Sequence, residues 1–163
     1  MNAFAQHAQT LFGITLSDEQ IQQFSILEQA LIDWNTRINL TAIVEPEAVR
    51  VKHFLDSLSV LSHLPDEVGL SLLDVGAGAG FPGLPLAMMR PDLQVTLMEA
   101  TAKKLRFIEH VAQQLGLSNV STLHARAEDA GQDRAHRERY DVVTARAVAR
   151  LPVLLEYTLP LVK

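Results

Sequence analysis

The chain has 163 residues, 48% of them apolar and 20% charged, which is enough for one domain with a proper core and argues against wholesale disorder. It has no cysteine, so disulfides and thiolate metal sites are excluded. The net charge of −5 argues against a general nucleic-acid binder. That charge is uneven: residues 1–70 carry three basic side chains against nine acidic, whereas residues 71–163 carry eleven against ten. Any polyanion would have to meet local clusters, such as Lys103, Lys104 and Arg106, or Arg134, Arg137 and Arg139, or Arg146 and Arg150. The opening MNAFAQHAQT lacks the basic and apolar stretches of a signal peptide, and no apolar run is long enough to span a bilayer. A cytoplasmic protein is expected.

Residues 1–65 read as a helical region. Ser17-Asp18-Glu19-Gln20 is a capping box. It opens an amphipathic run with Ile21, Phe24, Leu27, Leu31, Trp34 and Ile38 on one face. After the connector Asn39-Leu40-Thr41-Ala42, Pro46 suits the first turn of a second helix carrying Val49, Phe54, Leu55, Leu58 and Leu61. From residue 66 to 163 the period changes. Leu70–Val75, Val95–Met98, Val120–His124 and Tyr140–Thr144 are strand candidates, most of them followed by helix-period segments. The clearest helix covers about 101–115, with Leu105, Ile108, Val111, Ala112 and Leu115 inward and Gly116 as its stop. The stretch 127–139, rich in Arg, Asp and Gly, reads as an exposed loop. Alternating strand and helix predict an α/β fold with a parallel sheet and right-handed crossovers.

The chemistry is concentrated in DVGAGAGFPG, residues 74–83, directly after the first strand candidate. Gly78-x-Gly80-x-x-Gly83 fits a dinucleotide fingerprint, and Asp74-x-Gly76-x-Gly78 fits a loop for S-adenosylmethionine (SAM). Glu99 ends the second strand candidate 23 residues after Gly76, where a carboxylate accepts from a ribose diol in either cofactor. Asp74 distinguishes them: it would repel a pyrophosphate and suits a ligand carrying an ammonium group. Pro82 and Pro85 sit where a phosphate would need free helix N–H groups. The residues favour SAM and leave an NAD-linked oxidoreductase as the alternative.

Five stretches taken in order resemble one family, the bacterial 16S rRNA 7-methylguanosine methyltransferase G, also called glucose-inhibited division protein B. They are Asn39-Leu40-Thr41-Ala42; His53-Phe54-Leu55-Asp56-Ser57-Leu58; the glycine loop running on to Leu86; Arg126-Ala127-Glu128; and Arg146-Ala147-Val148-Ala149. The resemblance implies a Rossmann-like SAM-dependent methyltransferase sheet with an added helical N-terminal region. It implies methyl transfer to guanine N7 in the decoding-region loop of 16S rRNA, with the small ribosomal subunit as partner. The cofactor contacts it implies are Gly76 and Phe81 in the loop, Glu99, Ala100 and Thr101 after the second strand, and Ala127 and Glu128 after the third. Arg146 would lie at the end of the fourth strand, near the transfer centre.

Guanine N7 has a lone pair and no proton, so its methylation needs placement and no general base. Accordingly no nucleophile–base pair stands out; His53 and Asp56, three residues apart, read as a structural or RNA-facing pair. Members of the resembled family continue into further strands beyond the position of Lys163. The sheet is therefore expected to be truncated after its fourth strand, an open edge available for self-association. A SAM-binding fragment without activity is a further alternative.

Overall fold

The computed structural model describes residues 1–163. Helix α1 (Asn2–Phe12) ends at Gly13, whose φ of 68° closes the last turn. Helix α2 (Asp18–Asn35) is opened by the expected capping box: the Gln20 N–H donates to Ser17 Oγ, and the Ser17 N–H donates back to Gln20 Oε1. It stops three residues short of Ile38, and Asn35 Oδ1 there accepts from the N–H groups of Leu40 and Thr41 in the connector. Helix α3 (46–63) starts with Pro46 in its first turn, widens to a π-helix over Arg50–Leu55 and narrows to 3-10 geometry over Val60–His63. Phe4, Phe24 and Phe54 join these three helices, their ring centroids 4.9 to 5.7 Å apart.

Four parallel strands follow: β1 (Ser71–Val75), β2 (Gln94–Met98), β3 (Val120–Leu123) and β4 (Val142–Ala145), in the order β3-β2-β1-β4. Helix α4 (Gly83–Met89) connects β1 to β2, and α5 (Ala102–Gln114) connects β2 to β3. The chain winds outward from β1 to β3, then returns to lay β4 against the other side of β1. That reversal makes a switch point at the carboxyl ends of β1 and β4, where open α/β sheets collect ligands.

One continuous apolar cluster runs from Phe4, Phe24 and Phe54 through Leu84, Ile108 and Val111 to Leu72 and Leu97 of the sheet. The N-terminal helices thus share a core with one face of the sheet. A smaller cluster on the other face contains Leu73, Val75, Met98, Ala127, Ala130 and Tyr140. It explains the departure within the expected loop 127–139: the residues Ala127–Ala130 form a short helix (α6), because both alanines pack into that cluster. Helix α7 (Leu151–Thr158) follows β4. The edge position of β4 is as expected, except that Tyr140, just before it, forms a parallel bridge with Val162.

No helix is long and apolar enough to cross a membrane.

Candidate functional site at the strand ends

The glycine loop leaves β1 at Val75 and enters α4 at Gly83. Two carboxylates pin it. Asp74 Oδ2 accepts from the Gly83 N–H at 2.9 Å, and Glu99 Oε2 accepts from the Gly78 N–H at 3.0 Å. Gly83 must be glycine, since a Cβ there would lie 2.4 Å from Leu97 and 3.0 Å from Asp74. Gly78 differs: its φ is 58°, and a Cβ would meet only the Gly76 carbonyl at 3.9 Å, so the missing side chain leaves open space above the loop.

That space is a cavity of about 740 Å³, within the usual range of small-molecule sites. Its floor is the loop from Gly76 to Ala79 with Phe81, and Glu99 and Lys104 form one wall. Arg146 and Ala147, just after β4, form another. The N-terminal region closes the remaining side with Thr41, Lys52, His53 and Asp56. A second cavity of about 560 Å³ lies between α2 and α5, beside the Trp34–His110 ring contact and away from the strand ends.

Four of the site residues expected from sequence therefore meet in one cavity: Gly76, Phe81, Glu99 and Arg146. Ala100 lines a neighbouring hollow of about 220 Å³ with His124, Ala125 and Arg126, and its carbonyl contacts His124 Nε2 at 2.9 Å. Thr101 turns its N–H back to Glu99 Oε1 at 2.9 Å. Ala127 is buried in the smaller cluster, and Glu128 is exposed, with the Tyr157 hydroxyl as neighbour. Neither lines the cavity.

Asp74 corrects the sequence argument. It is fully buried and does not line the cavity: its oxygens accept from the Gly83 N–H and from the Thr144 hydroxyl. Burial raises its pKa to about 7, opposed by those two hydrogen bonds and by the charge of Arg146. It is a brace between β1, β4 and the loop. Arg146 pairs with neither Asp74 nor Glu128 but with Asp56, at 2.9 Å. The His53 ring stacks on Phe81, centroids 4.7 Å apart and planes 2° from parallel. Burial, with the Arg146 charge, lowers the His53 pKa to about 4, against a smaller pull from Asp56.

Thr41 and Lys52 were not singled out as site residues from sequence, and Lys104 was named only within a basic cluster. The only signal for Thr41 was its place in one of the five motif stretches, because its contact with the His53 ring is made only in the fold.

Residues 20–163 match the GidB family model, described as rRNA small subunit methyltransferase G. The chain belongs to this family. It is 52% identical over 151 residues to ribosomal RNA small subunit methyltransferase G of Desulfitobacterium hafniense, an alignment covering 93% of this chain and 62% of that protein. The Lactococcus lactis protein of the same name is 50% identical over 157 residues, covering 96% and 66%. The chain thus spans about three fifths to two thirds of the length of these curated relatives. Among solved structures, an O-methyltransferase from Bacillus cereus in complex with SAH superposes with a TM-score of 0.62 at 22% identity, over 99% of this chain and 68% of that one. A SAM-dependent methyltransferase from Aquifex aeolicus gives 0.54 at 22% identity, over 71% and 62%. These likenesses establish the α/β methyltransferase fold.

Proposed function

We propose that the cavity binds S-adenosylmethionine and that the protein transfers its methyl group to guanine N7 in the decoding-region loop of 16S rRNA. The residues fit the cofactor. The open space over Gly78 admits a ligand against the loop backbone, and Glu99 keeps lone pairs beyond those used by Gly78 and Thr101 for a ribose diol. Gly76 and Phe81 would form the floor, while Ala100, beyond the second strand at the neighbouring hollow, would lie by the adenine. When bound, the cofactor supplies an electrophilic methyl on a sulfonium.

One observation carries the N7 reading. The imidazole and the carboxylates at the cavity all hold protein partners, and none is placed as a dedicated general base. Both His53 nitrogens are engaged, Asp56 is paired with Arg146, Asp74 is sealed beneath the loop, and both Glu99 oxygens hold backbone N–H groups. A nitrogen that attacks through a bare lone pair needs none. The chain's task is placement and exclusion of water. This reading carries a cytoplasmic location with it, since the substrate is the small ribosomal subunit.

The test is to incubate the protein and methyl-labelled SAM with small subunits lacking the modification, then digest the RNA. Label recovered as 7-methylguanosine supports the proposal; label on another base or on ribose overturns it. The unpaired edge of β4, beside the exposed Leu151 and Leu155 of α7, is a template for pairing with a second copy. Light scattering that gives a monomer at high concentration would dismiss that association.

A further inference from the structure

Arg146 is less free than its position suggests. A guanidinium has five N–H donors and no acceptor. Here Nη1 donates to the Lys52 carbonyl and to Asp56 Oδ2, each at 2.9 Å, and Nη2 donates to His53 Nδ1 at 2.9 Å. Because Arg146 can only donate, Nδ1 must present its lone pair, which leaves the ring proton on Nε2. Nε2–H then donates to Thr41 Oγ1, 2.9 Å away. Thr41 is itself fixed by Asn35, whose Oδ1 accepts from the N–H groups of Leu40 and Thr41 and whose Nδ2 donates to the Thr41 carbonyl. The relay Asn35–Thr41–His53–Arg146 thus ties the connector and α3 to the end of β4.

What remains of Arg146 is directional. Its Nε–H and one Nη2–H have no protein partner, and the residue lines the cavity. Phe81 occupies the space on one face of the guanidinium, 5.7 Å from ring centroid to Cζ. Two unpartnered donors on one planar group suit a single oxyanion with two acceptors, such as a phosphodiester.

We infer that His53 is a positioning residue: its Nδ1, held in the accepting tautomer by Thr41, sets Arg146 so that its two remaining donors meet a backbone phosphate of the substrate RNA. This rests on the reading of the cavity as an rRNA methyltransferase site. His53 stands on the cavity wall and acts through Arg146 in this account.

His53→Phe keeps a ring to stack on Phe81 but has no acceptor. It should lower kcat/KM for small subunits at least about tenfold while affinity for S-adenosylhomocysteine stays within about twofold. The double variant His53→Phe/Arg146→Ala should be no slower than Arg146→Ala alone, since both remove one device. His53→Asn, whose amide oxygen can accept from Nη2, should recover most of the rate. A parental rate in His53→Phe, or losses that multiply in the double variant, overturns the inference. If His53→Phe does not fold, Thr41→Val decides in its place: a slower rate that does not add to Arg146→Ala supports the relay, and a parental rate overturns it. A readout independent of turnover is the 15N spectrum of the His53 ring at neutral pH. The Nε2–H tautomer is expected, and the Nδ1–H tautomer or an imidazolium overturns the inference. Absence of methyl transfer by the parent chain counts against the methyltransferase reading only, and the ring spectrum then decides the role of His53.

Discussion

Replacing Asp74 by Asn should leave stability near pH 4 almost unchanged and alter how stability depends on pH above it. Asp74 is sealed under the glycine loop, with Oδ2 on the Gly83 N–H and Oδ1 on the Thr144 hydroxyl. An asparagine can keep both contacts: its oxygen takes the Gly83 N–H, and its NH2 donates to Thr144, whose hydroxyl can accept. Its titration is lost. In the unfolded chain Asp74 releases its proton near 3.8, whereas in the fold burial holds the proton until about 7. Between these values the folded state binds more protons than the unfolded, so this group makes stability fall as pH rises, by about 4 kcal/mol in all. His53 works the other way. Its pKa drops from 6.5 to about 4 on folding, so it makes stability rise with pH across that window, by about 3 kcal/mol. In the parent the two slopes oppose each other between roughly pH 4 and 6.5. In Asp74→Asn the His53 slope stands alone. Urea denaturation from pH 4 to 8 at constant ionic strength should show the variant gaining on the parent by about 4 kcal/mol over that range. Titrations elsewhere cancel in the difference. A variant-minus-parent difference that is flat with pH would refute the reasoning, because it would mean that Asp74 does not titrate in this window.

Glu99→Ala should weaken S-adenosylhomocysteine binding by about 1–3 kcal/mol in isothermal titration, through loss of the ribose acceptor and release of the Gly78 and Thr101 N–H groups; unchanged affinity would remove Glu99 from the cofactor site. Gly78→Ala puts a methyl into the cavity at a φ of 58°, so affinity should fall at least about tenfold while the left-handed backbone costs about 1–2 kcal/mol of stability. Unchanged binding would mean that the ligand lies elsewhere. Arg50 grips Glu28 through two hydrogen bonds of 2.7 and 2.8 Å, between α3 and α2. Arg50→Met should cost about 2 kcal/mol by leaving that carboxylate unpaired, and Glu28→Met/Arg50→Met should recover most of it in the same denaturation assay. A single variant as stable as the parent would show that the pair holds nothing together.

The elements were legible where local chemistry is strong. The capping box at Ser17 and Gln20, Pro46 in the first turn of α3 and Gly116 after α5 each act within a few residues, and each stands where the sequence places it. The strands were legible from short apolar runs between polar turns. The loop after β3 was misread over Ala127–Ala130, because two alanines give too weak an apolar signal to announce a buried turn of helix. At the site, the glycines and Glu99 were legible because a turn that must adopt positive φ and an acid at a strand end have few other uses. Asp74 was visible but misassigned: a sequence gives an acid's position along a strand but not which way it faces. The relay through Thr41, His53 and Arg146 was invisible as a unit, since its members come from three elements that only the folded core brings together.

The central claim is that the cavity over Gly78 takes S-adenosylmethionine and not a dinucleotide. Calorimetric titration of the chain with S-adenosylhomocysteine, and separately with NAD, tests it most directly. Saturable binding of one S-adenosylhomocysteine per chain, weakened by Gly78→Ala and with no heat from NAD, is the predicted result. Binding of NAD, or S-adenosylhomocysteine binding indifferent to Gly78→Ala, would contradict it.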